Sequence, residues 1–183
     1  SYPESDALRV FVDPNARHES TNATLSVCVF GYDVDGTTEL TIIGVETIPE
    51  EAFYKMLQLK SVRMSDVKEI KKYAFKECQY LTVVEAPSLN KLCSGAFKKC
   101  DQLAKLTFGP INYADERNWP IFEYITPNID LILSDYQKEM IETDDDLYTA
   151  NNDIDYAFSP EHVSKNFLGH EFKSITCSRY RVE

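Results

Sequence analysis

Residues 72–87 read "KYAFKECQYLTVVEAP". Twenty-two residues later the chain reads "SGAFKKCDQLAKLTFGP" (94–110), and twenty-two earlier "EEAFYKMLQLKSVRM" (50–64). The register holds column by column. Val45, Val67 and Leu89 align, as do Ile48, Ile70 and Leu92; Ala52, Ala74 and Ala96; and Phe53, Phe75 and Phe97. Met56, Cys78 and Cys100 follow, then Leu59, Leu81 and Leu103, then Val62, Val84 and Leu106. A looser last column holds Met64, Ala86 and Phe108. A 22-residue unit is too small to bury its own apolar face, so stacked units must bury it against each other. Each apolar column then becomes an internal ladder.

Within the unit, "LTVVEA" (81–86) has the β-branched content of a short strand. "IKKYAFKEC" (70–78) sets Ile70, Ala74, Phe75 and Cys78 at helical offsets and predicts about two turns of helix. Strands pair at about 4.8 Å, so three repeats extend the stack by only about 15 Å and need caps at both ends.

The pattern I-x-x-x-A-F-x-x-C-x-x-L-x-x-V, met as "IKKYAFKECQYLTVV", resembles the BspA-type leucine-rich repeat. "LCSGAFKKCDQLAKL" keeps it with Leu for Ile and Val, and "IPEEAFYKMLQLKSV" departs with Met56 for Cys. The match spans residues 45–108; "GTTELTIIG" and "FLGHEFKSIT" are similar, more loosely, to the flanking segments of such proteins. The resemblance implies an α/β solenoid, a right-handed superhelix with a strand on its concave face. It also implies a secreted or surface-attached protein of host-associated microbes that binds host matrix proteins.

The flanks read as caps, giving one structural domain in three parts: an N-terminal β cap (1–44), three repeats (45–110), and a degenerate repeat with a mixed C-terminal cap (111–183). "ALRVFVD" (7–13) predicts a strand, and Asp35-Gly36 between "TLSVCVFGYDV" and "TTELTIIG" predicts a β-hairpin. Reading Asp33, Asp35 and Glu39 as a calcium loop fails, because Gly36 comes too early and further ligands are missing. After the repeats, residues 129–133 predict a strand. Ser134 with Gln137 has capping-box spacing and predicts a polar helix. The Asp- and Asn-rich stretch that follows, including Asp144, Asp145 and Asp146, reads as a solvated loop, and "HEFKSITC" as a returning edge strand.

Composition bounds the function. The chain has 183 residues, a net charge of −11 and 43% hydrophobic content, enough for a real core. The repeats are mildly basic and the acidity lies in the flanks, so concentrated positive charge for nucleic acid is missing. No apolar run is long enough to span a bilayer, and the first residues lack a basic-then-apolar start, so a secretion signal would have been cleaved or lie outside this stretch, and the sequence does not separate these cases from a cytosolic protein. Asn22-Ala23-Thr24 is a glycosylation acceptor in a secreted eukaryotic context.

Catalytic patterns are absent. Cys78 and Cys100 share a column with Met56, which suits a buried thiol filler. Cys93 falls with Pro49 and Lys71, which predicts partial exposure, and Cys28 and Cys177 sit in the flanks. No C-x-x-C, G-x-S-x-G, H-E-x-x-H or glycine-rich phosphate loop occurs, so no cofactor or metal is expected. His18, His162 and His170 lie outside the repeats, and His162 and His170 read as surface residues.

What remains is surface. On strands whose leucine-like positions point inward, Ser61 and Arg63, Val83 and Glu85, and Lys105 and Thr107 point outward as a patch of mixed charge around Val83. Lys76, Lys98 and Lys99 form a second feature, a basic strip suited to an acidic partner or glycan. The expectation is a non-enzymatic, monomeric protein-binding or adhesion module at a microbial surface or in a periplasm. Its partner would be a host matrix or envelope protein. A structural spacer within a larger surface protein is the alternative.

Overall fold

Strict alternation of apolar and polar residues sends every second side chain of a strand to the same face. The computed structural model describes residues 7–11, 39–115, 121–134, 142–143, 158–159, 162–163 and 166–177. In chain order its strands are β1 (Ala7–Phe11), β2 (Glu39–Ile43), β3 (Thr47–Ile48), β4 (Ser61–Met64), β5 (Glu69–Ile70), β6 (Val83–Ala86), β7 (Lys91–Cys93) and β8 (Lys105–Phe108). There follow β9 (Tyr113–Asp115), β10 (Asp130–Leu133), β11 (Glu142–Thr143), β12 (Phe158–Ser159), β13 (His162–Val163), β14 (Asn166–Phe167), β15 (His170–Glu171) and β16 (Ser174–Cys177). The longer strands lie side by side as a parallel sheet in the order β1-β2-β4-β6-β8-β10-β16. A second parallel sheet runs β11-β9-β7-β5-β3, and β12–β13 and β14–β15 pair antiparallel.

The chain is therefore a parallel-strand solenoid. Val62 pairs with Val84 and Val84 with Leu106, each 22 residues on. The stack continues beyond the three obvious repeats: Leu106 pairs with Leu131 and Leu131 with Ile175, steps of 25 and 44 residues. The strands expected over 129–133 and in "HEFKSITC" are β10 and β16. The strand expected over 7–13 is β1, which pairs parallel with β2. The first arm of the expected Asp35-Gly36 hairpin lies outside the described residues. Its second arm, β2, has parallel neighbours on both sides, β1 and β4.

The two helical turns expected over 70–78 do not form; among the described residues there is no helix. The reason is where the amides go. Ala74, Lys76 and Cys78 donate to the carbonyls three residues back, Lys71, Tyr73 and Phe75, at 3.1–3.3 Å. The alternate amides of Tyr73, Phe75 and Glu77 instead donate to Ser94, Ala96 and Lys98 of the next coil, at 2.8–3.1 Å. Glu51, Phe53 and Lys55 repeat this toward Lys72, Ala74 and Lys76. A helix would satisfy all these groups within its own segment; here half of them join the coils. The tight turns need left-handed backbone at Glu51, Lys55, Tyr73, Glu77 and Lys99, each with φ between 56° and 62°.

The core is a set of ladders. Phe53, Phe75 and Phe97 stack at 5.1 and 5.6 Å between centroids, and Phe122 of the next coil continues the row at 6.1 Å. Phe172 closes it edge-on at 5.4 Å from Phe122. The inward strand positions Val62, Val84, Leu106 and Leu131 are fully buried. Gly109 marks a close approach: a Cβ there would sit 2.6 Å from the Leu89 carbonyl oxygen. Ser134, one coil further, donates its hydroxyl to Pro87 O at 2.6 Å. The polar helix expected after Ser134 lies outside the described residues.

Candidate functional site

The outward positions of the longer sheet form two straight rows. One runs Glu39, Ser61, Val83, Lys105, Asp130, Ser174, and the other Thr41, Arg63, Glu85, Thr107, Ile132, Thr176. All six residues expected on this face are in these rows. Ser61, Val83, Glu85 and Thr107 are half-buried by their neighbours, whereas Arg63 and Lys105 are exposed. Arg63 Nε meets Glu85 at 3.3 Å across adjacent strands; with the arginine side chain 68% exposed, the pair is worth at most about 1 kcal/mol. Its effect is to hold two opposite charges in place on the face. Further along, Ser174 Oγ donates to Asp130 Oδ1 at 2.6 Å and Lys173 lies 3.6 Å from Oδ2. The Ser174 hydroxyl first, then Lys173 and Lys105, hold the Asp130 carboxyl below the usual carboxylate range.

The sequence reading missed half of this face. Glu39 and Thr41 were left out because their strand was assigned to the N-terminal cap, and Asp130, Ile132, Ser174 and Thr176 escaped because the 25- and 44-residue steps break the 22-residue register. The available signal was the alternation in "IDLIL" and "KSITC", with the same inward–outward pattern as "AKLTF".

The turn segments make the second surface. Lys76 Nζ lies 5.2 Å from the Tyr54 ring centroid and 4.8 Å from that of Tyr73, between rings of two successive coils. Tyr73 in turn packs where Gly95 has no side chain; a Cβ on Gly95 would stand 2.6 Å from its ring. Lys55 pairs with Glu77 at 3.6 Å, and its ammonium is held above its ordinary pKa first by Tyr54 and then by Glu77. The basic strip is not uniform. Lys99 is exposed and Lys76 half-buried, but Lys98 is buried and meets Glu123 at 2.6 Å. The expected three-lysine strip is thus corrected to two accessible cations beside a buried ion pair, because burial of a charge requires a partner. Together Lys76, Glu77, Lys98, Lys99 and Tyr124 line a shallow depression of about 350 Å³.

The buried thiols and the described histidine are engaged in structural contacts. Cys78 Sγ donates to Phe53 O and Cys100 Sγ to Phe75 O, both at 3.0 Å, and burial pushes the Cys78 thiol up to about 12. Burial likewise raises Cys100 well above its ordinary value. Cys93 and Cys177 are half-buried, and Cys28 lies outside the described residues. His170, expected on the surface, is half-buried against Phe122 and Phe172, and its Nε2–H donates to Thr126 O at 3.2 Å. Burial lowers its pKa. His18 and the side chain of His162 lie outside the described residues. Among the described residues no three His, Cys, Asp or Glu side chains are placed to hold a metal, and no helix is long and apolar enough to cross a membrane.

Parallel strands stacked coil on coil, inward apolar ladders and an outward face of mixed charge define a leucine-rich-repeat solenoid. The BspA type leucine rich repeat region matches residues 33–135 in six copies, more than half of the chain, and the chain belongs to that family. The crystal structure of a leucine-rich repeat protein of T. pallidum is similar at 18% identity and a TM-score of 0.37, covering 57% of this chain and 68% of that one. Comparison with curated proteins gave no match.

Proposed function

We propose that this chain is a non-enzymatic protein-binding module that works at a microbial surface and docks its partner on the outward face of the longer sheet. Leucine-rich repeat domains generally serve protein–protein interaction, and solenoids present extended rigid faces suited to it. The observation that carries the reading is the pair of straight rows across six strands, with Arg63, Glu85, Lys105 and Asp130 fixed at strand spacing and apolar Val83 and Ile132 between them. Such a face is preorganised, so little side-chain ordering is lost on binding. Its alternating charges favour a partner surface of complementary mixed charge. A host matrix or envelope protein fits that description, and membership of the BspA-type family supports the surface location.

The test is a photo-crosslinking residue at Val83, with a control at the exposed Lys91 of the other sheet. A partner captured from Val83 and not from Lys91 is the expected result. Changing Arg63, Val83 and Lys105 together to Ala should then weaken that partner by tenfold or more while leaving the fold intact, since each contact on a docking face contributes about 1 kcal/mol. An unchanged affinity would move the site elsewhere. A spacer would give no specific crosslink from either position.

A further inference from the structure

The Lys–Tyr flank built by the turns lies apart from the sheet face and has a different chemistry. Lys76, Lys99 and Tyr124 come from three successive coils and converge on one shallow depression. The rings beside it are presented to solvent: Tyr54 is 36% and Tyr124 65% exposed. The Lys76 ammonium is fixed between the Tyr54 and Tyr73 rings, and Lys98 lies over Tyr124 at 5.6 Å while paired with Glu123. The backbone below is joined coil to coil by hydrogen bonds at every second residue, so these groups hold their spacing.

From this arrangement we propose that the flank binds an anionic polysaccharide, a chain of sugar rings carrying sparse carboxylates or sulfates. Three features argue for this occupant. Exposed tyrosine faces beside an ammonium suit the apolar face of a sugar ring next to an acidic group, and charge-assisted contacts to Lys76 and Lys99 would hold that group. The coils repeat about every 5–6 Å along the phenylalanine row, a step comparable with one sugar unit, so successive coils meet successive units. Finally, Glu77 sits among the lysines, 3.6 Å from Lys55 and 3.9 Å from Lys76, and puts a fixed negative charge beside the depression. A dense acidic protein segment would be repelled there, whereas a saccharide with spaced charges can place them on the two accessible lysines.

The experiment titrates the whole chain at low salt with three probes: a chondroitin sulfate oligosaccharide, whose carboxylates and sulfates are spaced along the chain, a neutral dextran oligosaccharide of similar length, and a poly-glutamate peptide. Expected is binding of the sulfated probe that weakens as salt rises, with little binding of the other two. Lys99→Glu should weaken it about tenfold or more, since a charge-assisted contact is replaced by repulsion. Glu77 occupies the equivalent place in the preceding coil with φ 62°, against 60° at Lys99, so the backbone accepts the change. Tyr124→Ala should weaken binding several-fold, and Lys105→Ala on the sheet face should leave it unchanged. That control separates a failure here from a failure of the protein-docking reading. No binding of the sulfated probe, or no effect of Lys99→Glu, would overturn the proposal. Equal binding of poly-glutamate with Tyr124→Ala silent would also overturn it and identify an acidic protein segment instead.

Discussion

Cys78 and Cys100 show how one residue type can serve the stack without any reactivity. Each thiol donates to the carbonyl of a phenylalanine in the preceding coil, so the column that looks like filler also satisfies a buried acceptor. With the Cys78 thiol at about 12 and its surroundings closed, both should resist alkylation at pH 8 in the folded protein and react only after denaturation. Labelling followed by mass spectrometry of Cys78- and Cys100-containing peptides checks this; rapid labelling of the native protein would refute it. His170 gives the pH dependence. Its neutral form is favoured in the fold by burial, opposed weakly by Thr126 O and Glu171. A depressed folded pKa means that its contribution is fully present above about 6.5, the unfolded value, and is lost as pH falls toward the folded one. Thermal unfolding from pH 7.5 down to 5 should therefore fall more steeply for the native chain than for His170→Phe. Parallel curves would show that His170 is not held neutral.

At the level of the element, the turn segment is where sequence and structure part. Ala74, Phe75 and Cys78 sit at offsets that a helix and a run of tight turns share, so side-chain periodicity does not distinguish them. What decides is the partner of each alternate amide, which lies 21 residues away. The strands were legible for the opposite reason: alternation is local, and Val62, Val84 and Leu106 carry it at constant spacing. Glu123 was invisible as the partner of Lys98 because its coil is shifted by three residues from the 22-residue register. That pair is the element's main electrostatic commitment, at 2.6 Å with the lysine side chain 10% exposed. Glu123→Ala leaves a buried cation and should cost about 3 kcal/mol in equilibrium unfolding. Changing Lys98→Met and Glu123→Leu together should recover most of that loss. A Glu123→Ala cost below about 1 kcal/mol would mean that water reaches the pair.

Across the whole molecule, the sheet stays continuous although the strand spacing along the chain changes. The chain departs from its 22-residue period after Phe108, yet Leu131 and Ile175 return to the same inward column as Leu106. Seven parallel strands at about 4.8 Å give the sheet a span of about 29 Å, well beyond the three repeats that the sequence displays. The proposed docking face depends on that continuity, because Asp130, Ile132, Ser174 and Thr176 join it only if β10 and β16 complete the sheet. A methyl-to-methyl NOE spectrum of the full chain tests this most directly. The account predicts one unbroken series of contacts from Val62 to Val84, Leu106, Leu131 and Ile175. Ile175 methyls without a contact to Leu131, or Leu131 methyls away from Leu106, would contradict it.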